Sequence, residues 1–371
     1  MWAGRSAMND RVCLLILNYN GLKNLGEILF RSIDSALQID YPYLDVIVID
    51  NGSTDGSLEE IENRYRGDIL LIKLGKNYGY AGGNERGFRR YIEYRGVPSY
   101  VVIMNNDYII KNTFFLRYIL KYMESRNDIA IAQGVNLQSD GKRIESLGKI
   151  INVTMQTIAR CEGLELSECP EKPSYVTYAM GNLVVIKLKP VMKIRGYLFK
   201  EELFLLWEET ELALDMWSHG FKTIAIPEIV GIHMGSATVK KAMPLAWYAA
   251  KRNKYLIYRK TLSRYLKSKY LYMPVIFEVA SLYLRIFQGN RGRAISRGFI
   301  DGIFKKELMK TRKGPYEPLL LAPKIRLSLQ SLMLALSENL LEKHGYLAKL
   351  KTLVLDDEKL KSSSRPYIIR V

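Results

Sequence analysis

The sequence feature that most constrains the fold of this chain is the stretch from Tyr100 to Asp107, an apolar run that ends in two asparagines and an aspartate. The three consecutive β-branched residues at 101–103 favour a strand that is buried on both faces, as in a parallel sheet. Asp107 would then lie at the carboxyl end of that strand, where ligands bind in open α/β sheets. A turn that only closes the strand is the alternative, because Asn and Asp are common in turns.

Three earlier segments repeat this arrangement of an apolar strand followed by polar residues. They are the strand at 12–17 with Asn18, the strand at 46–49 with Asp50, and the strand at 69–74 with a glycine-rich segment at 77–84. The first segment has one glycine where a dinucleotide-binding fingerprint has three, and no P-loop lysine follows, which argues against a dehydrogenase and a P-loop protein. Because the carboxyl ends of parallel strands meet at one edge of a sheet, we expect these polar residues to form one site.

Two of these segments suggest a specific chemistry. A carboxylate such as Asp50 at the end of a strand can accept a hydrogen bond from a base N–H or a ribose hydroxyl. The glycines of 77–84 let the backbone approach a ligand closely, and the amino terminus of the helix that follows favours anionic groups. A flexible loop with helix caps is the alternative interpretation of this segment.

The second half of the chain adds a group of acids and a histidine. The acids open a predicted helix directly after an apolar run, and they are Glu208, Glu209 and Glu211. Acids at this position often only complement the helix dipole. Glu208, however, follows four large apolar residues, and such surroundings raise the pKa of a carboxyl group into the range that suits a general base. His233 ends a later strand-like stretch, where it is either structural or a ligand.

The positive charge of the chain is confined to its last third. Residues 240–371 carry 28 Lys and Arg against 9 Asp and Glu, whereas residues 1–239 carry 27 against 29, and the net charge is +17. This shift predicts three parts. They are an N-terminal tail at 1–11, a main domain at 12–239, and a basic, mainly helical region at 240–371.

The basic region mixes Lys and Arg with aromatic and apolar residues, for example from Arg291 and Arg297 to Phe299 and Phe304. Apolar residues four apart beside basic ones are typical of an amphipathic helix on an anionic membrane surface. Alternatively, the same helices cap the main domain with a solvated basic face. Nucleic-acid binding is the least favoured interpretation.

The chain shows no apolar stretch typical of a signal peptide at its start, and no run of the ~18–20 apolar residues that a membrane-spanning helix needs. Cys161 and Cys169 could pair, but three cysteines without a CxxC motif or a histidine partner indicate neither a disulfide framework nor a metal site. These patterns predict a cytoplasmic protein that associates peripherally with the inner face of the cell membrane.

Five segments together resemble the family 2 glycosyltransferases, and within that family the bacterial and archaeal rhamnosyltransferase-like branch. The segments are 16–20, 50–55, 77–84, 105–107 and 207–212. The resemblance implies an α/β GT-A fold with a mainly parallel central sheet, to which the basic helical region is appended. It also implies an inverting, metal-dependent glycosyltransferase (EC 2.4) that takes a sugar from a nucleotide-diphosphate sugar, dTDP-rhamnose or a UDP-sugar.

The resemblance also implies roles for single residues. Asp107 would coordinate Mg²⁺ or Mn²⁺, with Asn105 where the family often has Asp, and His233 would contact the metal or the diphosphate. The donor would be held by residues near the strand ends, namely Asn18, Tyr19, Asp50, Asn77, Gly79, Gly82, Asn84 and Asn106. Glu209 stands where the family has its catalytic Asp, so Glu209 or Glu208 would remove the proton of the acceptor hydroxyl.

The expected acceptor is a hydroxyl group of a lipid-linked or polysaccharide substrate, in the assembly of a cell-surface glycan or glycolipid. An alcohol that attacks the anomeric carbon needs a base on one side and charge neutralisation beside the leaving diphosphate. The substituted residues Asn105 and Glu209 leave a second hypothesis open, a nucleotide-sugar-binding protein that kept the fold and lost the chemistry. Nucleic-acid binding through the basic region is the third hypothesis.

Overall fold

The structure, a computed structural model, describes residues 10–152, 156–235, 243–261, 278–279, 288–305, 320–322, 351–361 and 368–370. Its strands are β1 (Val12–Asn18), β2 (Leu44–Asp50), β3 (Leu70–Lys73), β4 (Tyr100–Asn105), β5 (Tyr108–Ile110), β6 (Ile129–Leu137), β7 (Ile144–Ser146), β8 (Lys149–Ile151), β9 (Thr157–Ala159), β10 (Ser174–Val176), β11 (Leu183–Lys187), β12 (Lys222–His233), β13 (Leu320–Ala322) and β14 (Ile368–Arg370). Its helices are α1 (Gly21–Leu25), α2 (Glu27–Leu37), α3 (Ser57–Arg64), α4 (Gly79–Arg95), α5 (Phe115–Glu124), α6 (Leu188–Arg195), α7 (Glu208–Ser218), α8 (Met243–Thr261), α9 (Gly289–Phe304) and α10 (Asp357–Lys361).

Ten strands form one mixed sheet in the order β10-β12-β6-β11-β4-β1-β2-β3, with β5 paired to β12 and β7 paired to β6. As the apolar runs predict, β4, β1, β2 and β3 are parallel, and so are β6 and β12. β11 is antiparallel to both of its neighbours. Its start therefore lies beside the carboxyl end of β4, where the backbone N–H of Asn105 donates to the carbonyl of Asn182 at 3.0 Å.

Helices cover both faces of the sheet, which explains why its central strands are apolar throughout and do not alternate with polar residues. One layer of the core lies under α2 and α5, and the other lies under α4, α6, α7 and α8. Glycines allow α4 to lie close to the sheet. A Cβ atom at Gly83 would lie 2.7 Å from the side chain of Leu17, and a Cβ atom at Gly87 would collide with Ile49.

The two long helices described in the basic region, α8 and α9, pack closely together. A Cβ atom at Gly298 or at Gly302 of α9 would collide with a backbone carbonyl of α8. Phe299 is buried, and its ring lies 4.9 Å from the ring of Tyr255. Phe299, which the sequence placed on a membrane-facing side, therefore packs on α8. The exposed face of α9 instead carries Arg293, Arg297, Ile300 and Phe304.

The segment at 351–361 packs against the main domain, although the sequence assigned it to the basic region. The carboxylate of Asp357 accepts hydrogen bonds from Arg126 at 2.7 and 2.9 Å and from the hydroxyl of Tyr175 at 2.8 Å. Leu355 in the same segment is fully buried in the core. Some residues beyond 240 thus complete the main domain.

Several sequence expectations concern segments that the structure describes only in part. Of the N-terminal tail at 1–11, residues 1–9 lie outside the described residues, as do the basic stretches at 262–277 and 306–319. The division of the chain at residue 240 stays a prediction. Within the described parts of the chain, no helix is long and apolar enough to cross a membrane. Cys161 and Cys169 form a disulfide, the pairing that the sequence left open.

Candidate active site

A buried polar cluster lies at the carboxyl ends of β1 and β2. Because these strands are parallel and in register, Asn18 lies opposite Asp50. The Nδ2 of Asn18 donates to Oδ1 of Asp50, and the backbone N–H groups of Gly52 and Ser53 donate to Oδ2, all at 3.1 Å. Asn18 and Asp50 are at most 1% exposed, and Oδ1 of Asn18 has no hydrogen-bond partner within the described residues. The fold thus brings together two residues predicted to bind the nucleotide.

Most of the other residues predicted to hold the donor lie around the amino terminus of α4. Asn77 caps this helix, since its Oδ1 accepts a hydrogen bond from the backbone N–H of Gly79 at 2.8 Å. Asn84 is buried inside the helix, and its Nδ2 donates to the carbonyl of Tyr80 at 3.0 Å. Tyr19 lies partly exposed after β1. Their contact with a nucleotide stays a prediction.

The glycines of the 77–84 segment lie in the first turns of α4, and their small size has a packing role there. Gly79 has a φ of +73°, and a Cβ atom at this position would collide with the carbonyl oxygen of Phe204. A Cβ atom at Gly82 would lie 3.1 Å from the Cβ of Tyr78. Close approach to protein atoms explains these glycines, whether or not a ligand also approaches them.

His233 lies between two carboxylates at the end of β12. Its Nε2 lies 3.1 Å from Oδ1 of Asp107, and its Nδ1 lies 2.8 Å from Oε1 of Glu145 on β7. Burial lowers the pKa of His233, but the hydrogen bonds and charges of the two carboxylates outweigh burial and raise the pKa to about 10. Glu145 is itself oriented by Asn182, whose Nδ2 donates to its Oε2 at 2.6 Å. The fold thus places Asp107 next to His233, the two residues predicted to lie at the metal. It also places a second acid, Glu145, against the other nitrogen of the imidazole.

The chemistry of Asp107 and His233 fits a divalent cation. A carboxylate oxygen is a ligand that Mg²⁺ and Mn²⁺ prefer, whereas the imidazole of His233 can bind a cation only when its Nε2 releases a proton. The Nε2 of His233 is buried, faces Asp107 and makes no well-directed hydrogen bond. In the part of the chain that the structure describes, no three His, Cys, Asp or Glu side chains could hold a metal ion together. The phosphates of a donor would therefore have to complete the coordination, as is common for Mg²⁺.

Tyr80 on α4 connects Asn105 with the turn that contains Gly181. Its hydroxyl lies 3.0 Å from Oδ1 of Asn105 and 3.0 Å from the carbonyl oxygen of Gly181. Burial and the charges of nearby carboxyl groups, foremost Glu209, raise the pKa of Tyr80 well above its usual value. The phenol stays protonated and donates to Asn105 or Gly181. Asn106, the neighbouring residue in the turn after β4, is partly buried.

Glu208 and Glu209 begin α7 at a cavity of about 330 Å³. The lining of this cavity also includes Tyr80, Asn105, Lys149, Tyr178, Asn182, Trp207 and His233. The carboxylate of Glu209 lies against the backbone of Gly181, where a Cβ atom would collide with its Oε1. The fold therefore brings the predicted base and two of the predicted metal ligands, Asn105 and His233, to one cavity, while Asp107 contacts His233.

The surroundings of the two glutamates set their protonation. Burial and the charge of Glu209 raise the pKa of Glu208 well above its usual value. Burial also raises the pKa of Glu209, but backbone hydrogen bonding and the charge of Lys149 limit the rise to about 7. The protonated form of Glu208 is thus favoured more than in an ordinary carboxyl group, whereas Glu209 exchanges its proton near pH 7, as a general base does.

The third acid of the segment has a structural role. Glu211 forms ion pairs with Arg195 at 2.6 Å and with Lys200 at 2.5 Å, and Arg195 also pairs with Asp215 at 2.9 Å. All four side chains are at most 8% exposed. Although burial raises the pKa of Glu211, the charges of Arg195 and Lys200 outweigh burial and lower it. This cluster anchors α7 beneath the cavity.

The loop at 204–207 that leads into α7 has a strained backbone. Phe204, Leu206 and Trp207 have φ values of +62°, +67° and +77°, and they are three of the five non-glycine residues with positive φ in the described chain. Leu205 N–H donates to the carbonyl of Leu203 at 2.7 Å, so that Phe204 is the centre of a γ-turn of the rare type with positive φ. Each such residue costs roughly 1–3 kcal/mol and persists only where its surroundings enforce it.

The sequence did not reveal several residues that build this site, namely Tyr80, Glu145, Lys149 and Gly181. Glu145 and Lys149 lie in strands of three residues, which are too short to show the alternation by which a strand is recognised. Tyr80 lies within the glycine-rich segment that the sequence did single out, and Gly181 lies in the turn before β11. The roles of these two residues depend on contacts with distant parts of the chain.

The amino-terminal half of the chain matches a family model described as "Glycosyl transferase family 2" over residues 13–174. dTDP-rhamnosyl transferase RfbF of Shigella flexneri is 29% identical to the chain over 320 residues, which are 83% of this chain and 96% of that protein. An undecaprenyl-phosphate 4-deoxy-4-formamido-L-arabinose transferase of Proteus mirabilis is 33% identical over 84 residues, 22% of this chain and 26% of that protein.

Among solved structures, the chain is similar to the mannosyltransferase PcManGT of Pyrobaculum calidifontis, solved in complex with GDP-Man and Mn²⁺. The TM-score is 0.50 at 13% sequence identity, and the similarity covers 80% of this chain and 88% of that chain. This similarity concerns the fold. The donor-side residues from Asn18 to Asp107 lie within the segment matched by the family model, and Glu209 and His233 lie beyond it.

Proposed function

The chain belongs to glycosyltransferase family 2 and has the GT-A fold, and on that premise we propose that it transfers a sugar from dTDP-rhamnose or a UDP-sugar to a hydroxyl group with inversion. The acceptor is lipid-linked or a polysaccharide, and the reaction serves the assembly of a cell-surface glycan or glycolipid. Similarity to a dTDP-rhamnosyl transferase over most of both chains supports the first of the two donors.

One observation carries this proposal. The lining of a single cavity includes Glu209 together with Asn105 and His233. A displacement at an anomeric carbon needs this arrangement, a base facing the acceptor and charge neutralisation facing the leaving diphosphate. The resulting geometry suits a one-step inverting reaction, in which the acceptor oxygen attacks from the side opposite the diphosphate.

Glu209 removes the proton of the acceptor hydroxyl as the new glycosidic bond forms. Its pKa of about 7 is high enough to take the proton and low enough for the carboxylate to be present at neutral pH. Glu208, whose raised pKa favours the protonated form, can donate a hydrogen bond to an acceptor or donor hydroxyl. Contact with Gly181 keeps the Glu209 carboxylate in place.

Asp107 and His233 would hold the divalent cation, with Asn105 as the third predicted ligand. A bound Mg²⁺ or Mn²⁺ would neutralise the charge that develops on the departing diphosphate. Glu145 holds the imidazole of His233 through Nδ1, so that Nε2 is directed toward Asp107. Asp50 and Asn18 bind the base or ribose of the nucleotide, as the position of such acids in other doubly wound sheets suggests.

The exposed face of α9 is the surface that contacts the membrane in this proposal. Arg293, Arg297, Ile300 and Phe304 follow one another at helical spacing, and the side chains of Ile300 and Phe304 are 48% and 71% exposed. Two arginines beside two apolar side chains suit the headgroup region of an anionic bilayer. A transferase docked in this way on the inner face of the cell membrane would meet a lipid-linked acceptor.

Calorimetric titration with dTDP, UDP and GDP, with and without Mn²⁺, tests the donor site. We expect one of the first two nucleotides to bind in a metal-dependent manner, and Asp107→Ala to weaken this binding by at least tenfold.

The matching nucleotide sugar is then incubated with wild-type protein and a lipid-linked acceptor, and the anomeric configuration of the product is determined by NMR. A folded protein that binds none of these nucleotides would contradict the proposal, and a retained configuration would contradict inversion.

A further inference from the structure

The strained loop at 204–207 is held by two polar residues of α8, Arg252 and Asn253. The Nδ2 of Asn253 lies 2.9 Å from the carbonyl oxygen of Leu203, 2.9 Å from that of Leu205 and 2.7 Å from that of Leu206. Asn253 is completely buried. One amide group is therefore surrounded by three backbone carbonyls that only the folded loop brings together.

Arg252 supports this contact in two ways. Its Nε donates to Oδ1 of Asn253 at 2.8 Å, which fixes the direction of the amide group. Its Nη2 donates to the carbonyls of Glu202 at 2.9 Å and Leu203 at 2.8 Å, at the start of the loop. On the opposite side, the N–H of Ala81 in α4 donates to the carbonyl of Phe204 at 3.2 Å.

The conformation of this loop decides where the base lies. Glu208 and Glu209 directly follow Trp207, whose left-handed conformation begins α7. A change of φ at Leu206 or Trp207 would rotate the first turn of the helix and move both carboxyl groups away from Gly181. The loop has no glycine that would favour these φ values by itself, so their maintenance requires contacts from outside the loop.

We propose that Arg252 and Asn253 are positioning residues of the transferase, which hold the 204–207 loop in its left-handed conformation and thereby direct Glu208 and Glu209 into the cavity. This inference rests on the proposed function of Glu209 as the base. It gives α8, the first helix after the main domain, a part in the chemical step. We expect nucleotide binding to change less than the chemical step, because Asn18 and Asp50 lie on β1 and β2 and not on this loop.

The test compares Asn253→Ala and Asn253→Asp with the wild type. In both variants we expect kcat to fall roughly 100-fold, since a misplacement of about 1 Å can have this effect. The KM for the nucleotide sugar and the affinity for the nucleotide should change less than threefold. Hydrogen–deuterium exchange of the backbone amides at 204–209 should become faster, whereas exchange in β1 and β2 should not change.

A second substitution separates positioning from a general loss of structure. Glycine adopts positive φ without strain, so Leu206→Gly combined with Asn253→Ala should recover at least a tenth of the wild-type kcat.

Arg259→Ala is the matched control for Arg252→Ala. Both arginines lie on α8 and donate to backbone carbonyls, but Arg259 contacts Ile303 and Lys305 of the α9 end. Arg259→Ala should keep the wild-type kcat, and Arg252→Ala should lower it.

Two outcomes would overturn the inference. One is a kcat within twofold of the wild type in Asn253→Ala, and the other is unchanged amide exchange at 204–209 in that variant. The second readout does not require sugar transfer. If the wild type transfers no sugar, the proposed function fails by its own test, while amide exchange still decides whether Asn253 holds the loop.

Discussion

Glu209 has the properties of a base because of its burial and because of two neighbours that are distant from it in the sequence. Gly181 leaves space for its carboxylate, Lys149 lowers its pKa, and the apolar surroundings raise its pKa. The family often has Asp at this position, and the extra methylene group of Glu is accommodated because residue 181 has no side chain. If Glu209 is the base, a residue on the facing segment thus adjusts its reach.

Replacement of Glu209 by Gln should remove the base without changing the size of the side chain. General bases contribute about 10²–10⁴-fold to a rate, and we expect kcat to fall within this range. Nucleotide affinity measured by calorimetry should stay at the wild-type value. Glu202→Gln, which changes an exposed glutamate of the preceding turn, is the control. Wild-type kcat in Glu209→Gln, with a large loss in Glu208→Gln, would assign the base to Glu208.

Lys149→Met should change the pH dependence of kcat. Only the carboxylate form of Glu209 accepts a proton, so kcat of the wild type should rise with pH through a pKa of about 7. The positive charge of Lys149 lowers this pKa, and its removal therefore moves the rise to higher pH. If the pKa of Glu209 rises by one, the carboxylate fraction at acidic pH, and with it kcat, falls about tenfold. Lys142→Met, at an exposed lysine, is the control and should leave the pH profile of kcat unchanged. If kcat of Lys149→Met instead rose at a lower pH than in the wild type, Lys149 would not lower the pKa of Glu209.

At the scale of single elements, α7 divides its acids between two tasks. Neighbouring residues of a helix are rotated by about 100°, so Glu209 and Glu211, two residues apart, point in opposite directions. Glu209 faces the cavity, whereas Glu211 and Asp215, four residues apart, share the face that meets Arg195. One turn of helix thus supplies both the proposed base and the ion pair that anchors the helix.

Glu211→Gln should strongly destabilise the protein. The substitution leaves Arg195 and Lys200 buried with less negative charge, and removal of one partner from a buried ion pair costs about 3–5 kcal/mol. Urea unfolding measures this change in the free energy of unfolding. Glu60→Gln removes a partner of Arg64 at the surface, where side chains are 43% and 48% exposed, and should cost less than about 1 kcal/mol. Equal effects of the two substitutions would show that the buried cluster does not anchor α7.

At the scale of the whole molecule, the C-terminal part of the chain contacts the main domain at two places, the 204–207 loop beside the cavity and Arg126. α8 supports the 204–207 loop through Asn253, and the 351–361 segment binds Arg126 through Asp357. α9 packs on α8 and exposes its basic and apolar face. If this face docks on a membrane, the docked helix pair is in direct contact with the loop that positions the base.

Binding to vesicles should depend on the exposed face of α9. Phe304→Ser and Ile300→Ser should each reduce co-sedimentation with vesicles that contain anionic phospholipid, and the double substitution should reduce it at least tenfold. Raising the salt concentration should also weaken binding, because the arginines act through screened charges. Tyr94→Ser removes an aromatic side chain that is 70% exposed elsewhere, on α4, and should have no effect. Unchanged binding of the double variant would exclude this face as the membrane contact.

The sequence by itself determined the first four strands, the polar residues at their ends and the acids at the start of α7. These features are local, since an apolar run of strand length and the residues that follow it are adjacent in the chain. The mainly parallel character of β1 to β4 also follows from runs such as 101–103, which are too apolar for a half-exposed strand.

Only the tertiary structure decided which polar residues meet. Glu145 and Lys149 reach the cavity from very short strands, and Asn253 reaches Leu206 from a helix more than forty residues away in the chain. Glu211 has a structural role, unlike Glu209, because it forms ion pairs with Arg195 and Lys200. Local periodicity in the sequence does not predict these two contacts. The chemical role of each residue depends on burial and on charges that folding brings near it, and a local pattern in the sequence contains neither.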